Sequence, residues 1–191
     1  MPKSVLYDEA EVIHRTTQLF WKKGYYATSM QDIVDCTGLN RSSLYNSFGD
    51  KFGLFKACLV HYKVVQNEFT SGLLKDQQSA KESLISLFKG IESDIKSSTS
   101  KGCFISNCIP ELGAVDGDVR DFLIESKDSM LAVFEQLICQ AQIEKDIAPN
   151  KNAKHLAIFL FSSLQGIRLT GIIETDKEAI TAIREQILQN I

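Results

Sequence analysis

Apolar residues recur at three- and four-residue steps through most of this 191-residue chain, and no segment alternates apolar and polar positions as a half-buried strand does. The chain also contains only three prolines, the residues that most often interrupt a helix. The pattern therefore predicts an all-α protein.

Glycines divide the N-terminal part of the chain into short amphipathic segments. Asp8 is a candidate N-cap for the first helix, Thr28 or Ser29 for the second, and Asn40 or Arg41 for the third. A glycine just after a helix adopts the left-handed conformation that ends it. The four predicted helices lie within residues 8–24, 28–38, 40–48 and 51–69.

The segments beyond residue 70 are longer and more apolar. A helix that is apolar on more than one side is buried, and the segment 153–173 has this character. Because it lies near the C-terminus, an interface with a second subunit is an attractive cover for its second face. The predicted helices of this part lie within residues 84–95, 103–112, 119–149, 153–173 and 177–190.

The second and third helices have the features of a helix-turn-helix. They are short, a turn containing Gly38 separates them, and Leu44 and Phe48 can hold the third helix to its scaffold. Its outward face then carries short or flexible donors and acceptors that fit the major groove of DNA. Three packed short helices with no role in DNA binding are the alternative that spacing leaves open. The outward residues are Arg41, Ser42, Ser43, Asn46 and Ser47.

The distribution of charge permits DNA binding by this part of the chain. The net charge at pH 7 is -3, yet residues 1–63 contain eight Lys and Arg against six Asp and Glu, whereas residues 64–191 contain thirteen against eighteen. The overall acidity argues against a protein that coats nucleic acid nonspecifically. A specific reader can manage with few cations, because amides and hydroxyls also bind phosphate.

The segment TSMQDIVDCTGLNRSSLYNSFGDKFGLFKA, after a helix ending LFWKKGY, resembles the N-terminal domain of the tetracycline-repressor (TetR) family of bacterial regulators. The resemblance covers about residues 8–63, and Asn46 and Ser47 depart from it where the family commonly has two histidines. It implies a sequence-specific DNA-binding transcription regulator. The expected organisation is a helix-turn-helix domain over 1–50, a linking helix over 51–69, and a helical regulatory and dimerisation domain over 70–191.

The resemblance implies that nine polar residues contact DNA. Thr28 and Ser29 would bind backbone phosphate at the start of the second helix, where the helix dipole favours an anion. Tyr45 would reach a phosphate or a thymine methyl group, and Lys51 would bind phosphate from the fourth helix. Each residue taken singly is also compatible with a cap or a solvated side chain, but together they indicate an interface. The remaining contacts are expected from Asn40, Arg41, Ser42, Ser43 and Asn46.

The resemblance also implies a homodimer, formed through the helices predicted over 152–174 and 177–190. Such a dimer would bind a near-palindromic operator in double-stranded DNA, with half-sites about one helical turn, ~34 Å, apart. An unidentified small-molecule inducer would favour a dimer with wrongly spaced reading helices, which relieves repression. The alternative for the candidate lining residues is ordinary core packing. These residues are Phe88, Phe104, Phe122, Met130, Phe134 and Phe161.

The segment GCFISNCIPE resembles a GC-x-x-x-N-x-x-x-E pattern of family members, some of which respond to electrophiles or oxidants. Cys103 follows Lys101 and Gly102 near a predicted helix start, where a cation and the helix dipole would lower the pKa of a thiol. We therefore add Cys103 to the candidate ligand site, with a buried inert thiol as the alternative. Cys108 would lie about 140° around the same helix, so no disulfide is expected within one intact helix.

Other functional classes receive no support from motifs. The chain has no nucleophile elbow, phosphate-binding loop or HExxH sequence, so catalysis is not predicted. Its five cysteines lack CxxC spacing and its three histidines lie far apart, which predicts free thiols and no metal or other cofactor. We expect a cytoplasmic protein without a membrane partner. An activator or DNA-organising protein of this fold, with no small-molecule inducer, is the alternative to a ligand-released repressor.

Overall fold

The computed structural model describes residues 7–75, 77–97, 101–114 and 117–191. These residues form ten helices and no strand, so the predicted all-α class is confirmed. In chain order the helices are α1 (Glu9–Lys23), α2 (Met30–Thr37), α3 (Arg41–Phe48), α4 (Lys51–Leu74), α5 (Ala80–Lys96), α6 (Phe104–Asn107), α7 (Ile109–Leu112), α8 (Gly117–Ile143), α9 (Ala153–Ile173) and α10 (Lys177–Gln189).

Side-chain caps fix the starts of the first four helices where the sequence predicts them. The Asp8 carboxylate accepts hydrogen bonds from the backbone N–H groups of Ala10 and Glu11 at the start of α1. Such bonds satisfy donors that have no partner within the helix. Gly24 and Gly38 follow α1 and α2 with φ angles of 81° and 74°, which end both helices. The caps of α2, α3 and α4 are Ser29, Asn40 and Asp50.

Helix α4 is longer than predicted, because it ends at Leu74 rather than near Phe69. Gly72 is a weak helix former, but tertiary contacts hold this last turn. Leu73 packs so closely on Gly90 of α5 that an added Cβ there would lie 2.5 Å from the Leu73 Cδ1 atom. Leu74 itself packs against the core of the C-terminal helices. These contacts join residues that are distant in the sequence.

The segment 103–112 forms the two four-residue helices α6 and α7 instead of one short helix. The two meet at Cys108, and Pro110 lies in the first turn of α7. Proline has no N–H to donate to the carbonyl four residues earlier, so a continuous helix is interrupted here. The expected angle between Cys103 and Cys108 around one helix is therefore wrong. Both cysteines are buried and carry free thiols.

Helix α8 ends at Ile143, before the stop expected at Pro149. Lys145 follows with a φ of 67°, the left-handed conformation that commonly ends a helix. The reversal carries Ile147 into the core, where 2% of its surface is exposed. Burial of this side chain offsets a conformation that lysine adopts only rarely.

Buried apolar residues form two clusters. One contains α5, α8, α9 and α10, with Leu84, Phe88 and Phe134 among its fully buried members. The other contains α1 to α4 but also includes residues of α6, α7 and the start of α8, such as Phe104. The core of the N-terminal helices therefore extends past the expected boundary near residues 50–70 and takes in part of the segment 103–119.

Helix α9 has two unlike faces. Leu160, Leu164 and Ile167 are buried on the face that packs mainly against α8. The other face exposes large apolar and small residues at helical spacing, which we call the α9 stripe. By length and composition α9 is also the one helix of the described ranges that could cross a membrane, and 22% of its apolar window is buried. The α9 stripe consists of Ile158, Phe159, Ser162, Gly166, Leu169 and Ile173.

Candidate DNA-binding surface and regulatory cavity

The helix-turn-helix stands on an aromatic scaffold. Phe20 of α1 meets Phe55 of α4 edge to face at 5.1 Å between ring centroids, and the Tyr25 ring lies 4.8 Å from Phe55. Ile33 of α2 and Leu44 of α3 are almost completely buried in the same cluster. Aromatic pairs in these arrangements add stability beyond the area that they bury. The two short helices therefore have a fixed orientation.

Helix α2 begins with a capping box that uses both donors of Ser29. The Ser29 hydroxyl and backbone N–H each donate to the Asp32 carboxylate, at 2.7 and 2.8 Å. Lys23 from α1 contacts the same carboxylate at 2.7 Å. Hydrogen bonds from Lys23 first, and then from Ser29, hold the pKa of Asp32 well below its usual range. Ser29 is exposed, but a phosphate would have to compete with Asp32 for its donors.

Thr28 lies inside the structure rather than on the expected DNA-facing surface. Its side chain is fully buried, and its hydroxyl donates to the carbonyl oxygen of Gly24 at 2.7 Å. A buried hydroxyl with a partner stabilises the fold, whereas a phosphate contact needs an exposed donor. The structure therefore corrects the expectation for Thr28, whose hydroxyl holds the turn between α1 and α2.

The outward face of α3 presents most of the residues expected to read DNA. Leu44 anchors the helix, while Ser42, Asn46 and Tyr45 point outward, the last with 43% of its surface exposed. Arg41 is exposed as well, and its guanidinium donates to the Gln31 side-chain oxygen of α2 at 3.2 Å. The exposed Asn40 side chain caps Ser43, which is half-buried. This face can offer hydrogen-bond donors, acceptors and one aromatic ring to a groove.

Lys51 at the start of α4 is half-buried, and its ammonium lies 4.3 Å from the centre of the Tyr25 ring. Burial lowers the pKa of Lys51, and the nearby Glu111 and Asp32 carboxylates oppose that change. The ring fixes the position of the cation beside the N-terminus of α4, where a phosphate would be attracted. The cation therefore has a defined position at the start of α4, two residues after Gly49, the C-cap of α3.

Two exposed residues of the helix-turn-helix region were not among the residues that the sequence predicted to contact DNA. Gln31 lies in the first turn of α2, where it contacts Arg41 and also donates to Asp35 at 2.9 Å. Tyr26 has 61% of its surface exposed and packs edge to face on Tyr25. The helical position of Gln31, two residues after the cap, was the available signal. The exposure of Tyr26 depends on the turn that Thr28 holds.

A cavity of about 300 Å³ lies between α4, α6–α7, α8 and α9. Three of the candidate ligand-site residues, Cys103, Met130 and Phe161, line this cavity. The other candidates lie elsewhere, because their surfaces are used in packing. Phe88 and Phe134 stack at 6.2 Å in the C-terminal core, Phe104 is buried in the N-terminal core, and Phe122 lies under the Lys63 ammonium at 5.3 Å.

Cys103 is 4% exposed and lies at the wall of this cavity. The Gln66 amide nitrogen is 4.0 Å from its sulfur. The neighbouring Cys108 points elsewhere, with its thiol donating to the carbonyl oxygen of Phe104 at 3.0 Å. Burial first, and then Cys103 and Glu111, raise the pKa of Cys108 to about 12. Cys103 is therefore the better placed of the two to meet a molecule inside the cavity.

The wall of the cavity also contacts the helix that precedes the helix-turn-helix. The Glu111 carboxylate of α7 accepts a hydrogen bond from the backbone N–H of Tyr25 at 2.7 Å. The indole of Trp21 and the amide of Asn107 both donate to the carbonyl oxygen of Lys101, at 3.1 and 2.8 Å. Gly24 packs directly against the Glu111 carboxylate, and a Cβ atom added at this position would collide with it. The segment 101–113 thus joins the cavity to the end of α1.

Comparisons with protein families agree with this architecture. The family model described as "Bacterial regulatory proteins, tetR family" matches residues 12–58. A second model, "Tetracyclin repressor-like, C-terminal domain", matches residues 80–187, which is more than half of the chain. The two matches together cover α2, α3 and α5 to α9, most of α1 and α10, and the first third of α4.

Two curated relatives are similar over most of their length. The HTH-type transcriptional repressor ComR of Escherichia coli (strain K12) is 30% identical over 168 residues, which are 87% of this chain and 80% of that protein. The HTH-type transcriptional repressor DhaR of Mycobacterium sp. (strain GP1) is 28% identical over 174 residues, with 88% and 84% covered.

Solved structures share the fold. The TetR family transcriptional regulator CifR, complexed with a 26-base-pair operator DNA, has a TM-score of 0.83 at 24% identity and covers 99% of this chain and 98% of its own. The reduced form of E. coli NemR has a TM-score of 0.84 at 16% identity, with 97% of both chains covered. At these identities the similarity establishes the fold alone.

Proposed function

This chain belongs to the tetR family of bacterial regulatory proteins, and from that premise we propose that it is a repressor of transcription, released from a palindromic operator by a signal molecule. The observation that carries the proposal is the exposed polar face of α3 on a rigid scaffold. Leu44 is 1% exposed, whereas Arg41, Ser42 and Asn46 are exposed beside it. A helix that buries its apolar side and leaves donors and acceptors outside suits the major groove.

We assign base reading to Arg41, Ser42, Tyr45 and Asn46, and phosphate binding to Lys51. Arg41 can reach a guanine edge and Asn46 an adenine edge, which are the pairings that their geometry favours. Lys51 supplies a cation whose position the Tyr25 ring fixes. Asn40 and Ser43 complete the start of α3, where backbone N–H groups add phosphate contacts. Ser29 contributes once its donors leave Asp32.

The experiment begins with selection of operator DNA from genomic fragments and from a random library, using the purified full-length protein. We expect a near-palindromic site with half-sites about one helical turn apart. The double variant Tyr45→Ala with Lys51→Ala should then bind the selected site at least about tenfold more weakly, and its salt slope should fall by about one counterion for Lys51. Fluorescence anisotropy at several salt concentrations measures both effects.

The control is Lys89→Ala, which removes one exposed cation from α5, far from α3. This variant should keep the affinity of the wild-type protein. Failure to select any specific site would overturn the proposed function. Unchanged affinity of the double variant would instead overturn the assignment of Tyr45 and Lys51. Circular dichroism establishes that each variant is folded.

The α9 stripe supports a dimer built from α9 and α10 of each subunit. Leu169 is 68% exposed and Ile173 is 83% exposed, and large apolar surfaces of this kind are typically covered by a partner. Gly166 has no atom within 4 Å of an added Cβ, so a second helix can approach closely at this point. Since the opposite face of α9 is packed on α8, a second copy of the chain fits better than surrounding lipid. Two copies related by a two-fold axis would present their α3 helices to successive half-sites.

We propose that the segment 101–113 couples the cavity to DNA binding. Ile105 and Ile109 line the cavity, while Glu111 of the same segment holds the Tyr25 backbone at the end of α1. A ligand that displaces α6–α7 therefore changes how α1 and α4 carry the helix-turn-helix. Affinity for the operator falls only if the ligand prefers the displaced state.

Cys103 offers an electrophile as an alternative signal, because its thiol lies at the cavity wall. The test treats the operator complex with an alkylating reagent and measures release of DNA. Replacement of the exposed Cys139 by serine provides the matched background. Release that persists in Cys103→Ser, or no release from the wild-type protein, would exclude Cys103 as the sensor. An activator of the same fold is distinguished by where the selected operator lies relative to its promoter.

A further inference from the structure

The charge of the cavity differs from that of the chain around it. Residues 64–191 contain thirteen Lys and Arg against eighteen Asp and Glu, so acidic side chains are the commoner kind in this part. Arg120, Lys127 and Arg168 nevertheless line the cavity, and none of the described lining residues is Asp or Glu. A cleft with one sign of charge and low-dielectric walls attracts ligands of the opposite sign.

Of these three cations, the two arginines are available to bind an anion. Lys127 forms an exposed ion pair with Asp128 at 3.1 Å. Within the ranges that the structure describes, neither Arg120 nor Arg168 has a carboxylate oxygen within 4.0 Å. Arg120 is exposed at the start of α8, while Arg168 on α9 is half-buried. A partly desolvated guanidinium without a counter-ion gains more from an anion than an exposed one does.

Arg168 also lies between this cavity and a second one of about 210 Å³, which reaches α1. The lining of the second cavity contains Asp94 of α5, which is the acidic residue among its members, and the phenol of Tyr62. Asp94 stays beyond ion-pair distance in this structure, and burial raises the pKa of Tyr62. Among the described residues, no negatively charged side chain therefore forms an ion pair with Arg168.

The rest of the cavity defines the body of the ligand. Leu123, Met130, Phe161 and Leu164 give it an apolar wall, so a hydrocarbon portion fits beside the charged groups. The Ser126 hydroxyl also lines the cavity, and its oxygen is buried without a hydrogen-bond partner among the described residues. A buried polar atom without a partner favours a ligand that supplies one. The volume lies at the lower end of the range for ligand sites, which indicates a small molecule.

We propose that this cavity binds a small organic anion, with its carboxylate on the Arg168 guanidinium and its apolar body against α8 and α9. Guanidinium and carboxylate match in a planar two-bond geometry, so Arg168 sets the class of ligand. Arg120 and Lys127 at the edge attract the anion before it enters. The inference rests on the proposed function, because it names the chemical class of the signal that releases DNA.

The test uses three probes of equal chain length and different charge: octanoate, 1-octanol and octylammonium. Isothermal titration of the DNA-free full-length protein at pH 7 measures the affinity of each. We expect octanoate to bind at least about tenfold more tightly than 1-octanol, and octylammonium to bind most weakly. Arg168→Gln should abolish the preference for octanoate, and Arg168→Lys should retain part of it because the charge remains.

Lys154→Gln is the matched control, since it removes one exposed cation from the same helix at about 20 Å from Arg168. It should leave octanoate binding unchanged. Equal affinity for octanoate and 1-octanol, or full octanoate binding by a folded Arg168→Gln variant, overturns the proposal. Operator selection is a separate measurement. If octanoate binds through Arg168 and no operator is selected, the anion site stands and the proposed function fails.

Discussion

Helix α3 and helix α9 each bury one face and expose the other, but the two exposed faces differ in chemistry. The exposed face of α3 carries Arg41, Ser42 and Asn46, whereas the α9 stripe carries residues such as Leu169 and Ile173. Water solvates the polar face of α3 at no cost, so this face is stable in the DNA-free protein. Exposed apolar surface costs about 25 cal/mol per Å², so the α9 stripe needs a permanent cover.

This difference indicates which partner each surface meets. A groove in DNA is hydrated and negatively charged, and side chains on α3 can replace its water contacts one by one. The α9 stripe needs a partner that is always available, and a second copy of the chain is present wherever the protein is. We therefore expect changes on the α9 stripe to affect assembly, and changes on α3 to affect recognition without affecting the fold.

The largest effect should come from Leu169→Asp. A carboxylate on the α9 stripe would be desolvated at a subunit interface, so the dimer should dissociate. A monomer can contact only one of the two half-sites of the operator, so operator affinity should fall by at least about 100-fold. Sedimentation velocity and fluorescence anisotropy measure these changes. Ile143→Asp, at an equally exposed position on α8, should remain dimeric; a dimeric Leu169→Asp protein would remove α9 from the interface.

The second effect concerns the ion-pair clamp around Glu92, which holds α10 against α5. Glu92 of α5 is 8% exposed and binds Arg184, Thr181 and Lys96 at 2.5 to 2.6 Å. Burial alone would raise the pKa of Glu92, but hydrogen bonds from these three side chains lower it to about 2, from 4.5. A carboxyl with a depressed pKa stabilises the folded state above its unfolded pKa, and this stability is lost as the pH falls from about 4.5 toward 2.

Glu92→Gln should therefore reduce the free energy of unfolding by about 3 kcal/mol at pH 7, and by much less at pH 3. Urea unfolding measures this free energy. All variants are compared at one protein concentration, because the stability of a dimer depends on concentration. The control is Glu125→Gln, whose partner Lys63 lies at 2.8 Å but whose own side chain is 72% exposed. That change should cost less than about 1 kcal/mol. An equal cost for the two variants would contradict the role of the clamp.

A smaller effect is expected from Asn46→Ala on the face of α3. Loss of a two-bond contact to a base should reduce discrimination at one position of each half-site by about 1–3 kcal/mol, while the free energy of unfolding stays unchanged. Binding to a panel of operators with single substitutions measures this discrimination. Affinity for nonoperator DNA serves as the internal control and should not change. Uniform weakening on all sequences would assign Asn46 to the phosphate backbone instead.

The smallest effect tests whether Thr28 belongs to the fold or to the DNA surface. Thr28→Val keeps the shape of the side chain but removes the hydrogen bond to the Gly24 carbonyl. We expect a loss of about 1 kcal/mol in stability, with operator affinity within about twofold of the wild-type protein. Thermal unfolding and anisotropy on the same samples separate the two. A large loss of affinity in a stable variant would return Thr28 to the interface.

Several features of the fold were predictable because neighbours in the sequence decide them. Asp8, Ser29 and Asn40 cap helices through backbone groups two or three residues away, and Gly24 and Gly38 end them through their own φ angles. The polar outward face of α3 follows from helical spacing around Leu44. Such interactions are local, so the sequence records them directly.

Other features depend on contacts between distant residues, and these were missed. Helix α4 continues to Leu74 because Leu73 packs on Gly90 of α5. The lining of the cavity could not be inferred from aromatic residues, since Phe88 and Phe134 pack on each other while Arg168 and Ser126 face the cavity. Burial of a side chain is decided by what the rest of the chain places beside it.

The sequence by itself therefore determined the class of the fold, the position of the helix-turn-helix and the chemistry of the outward face of α3. Only the tertiary structure decided that Thr28 is internal, that cations line the cavity, and that Glu111 meets Tyr25, 86 residues away. The physical reason is the range of the interactions. Caps and helical periodicity act within one or two turns, whereas a cavity and its link to α1 exist only after distant helices have packed.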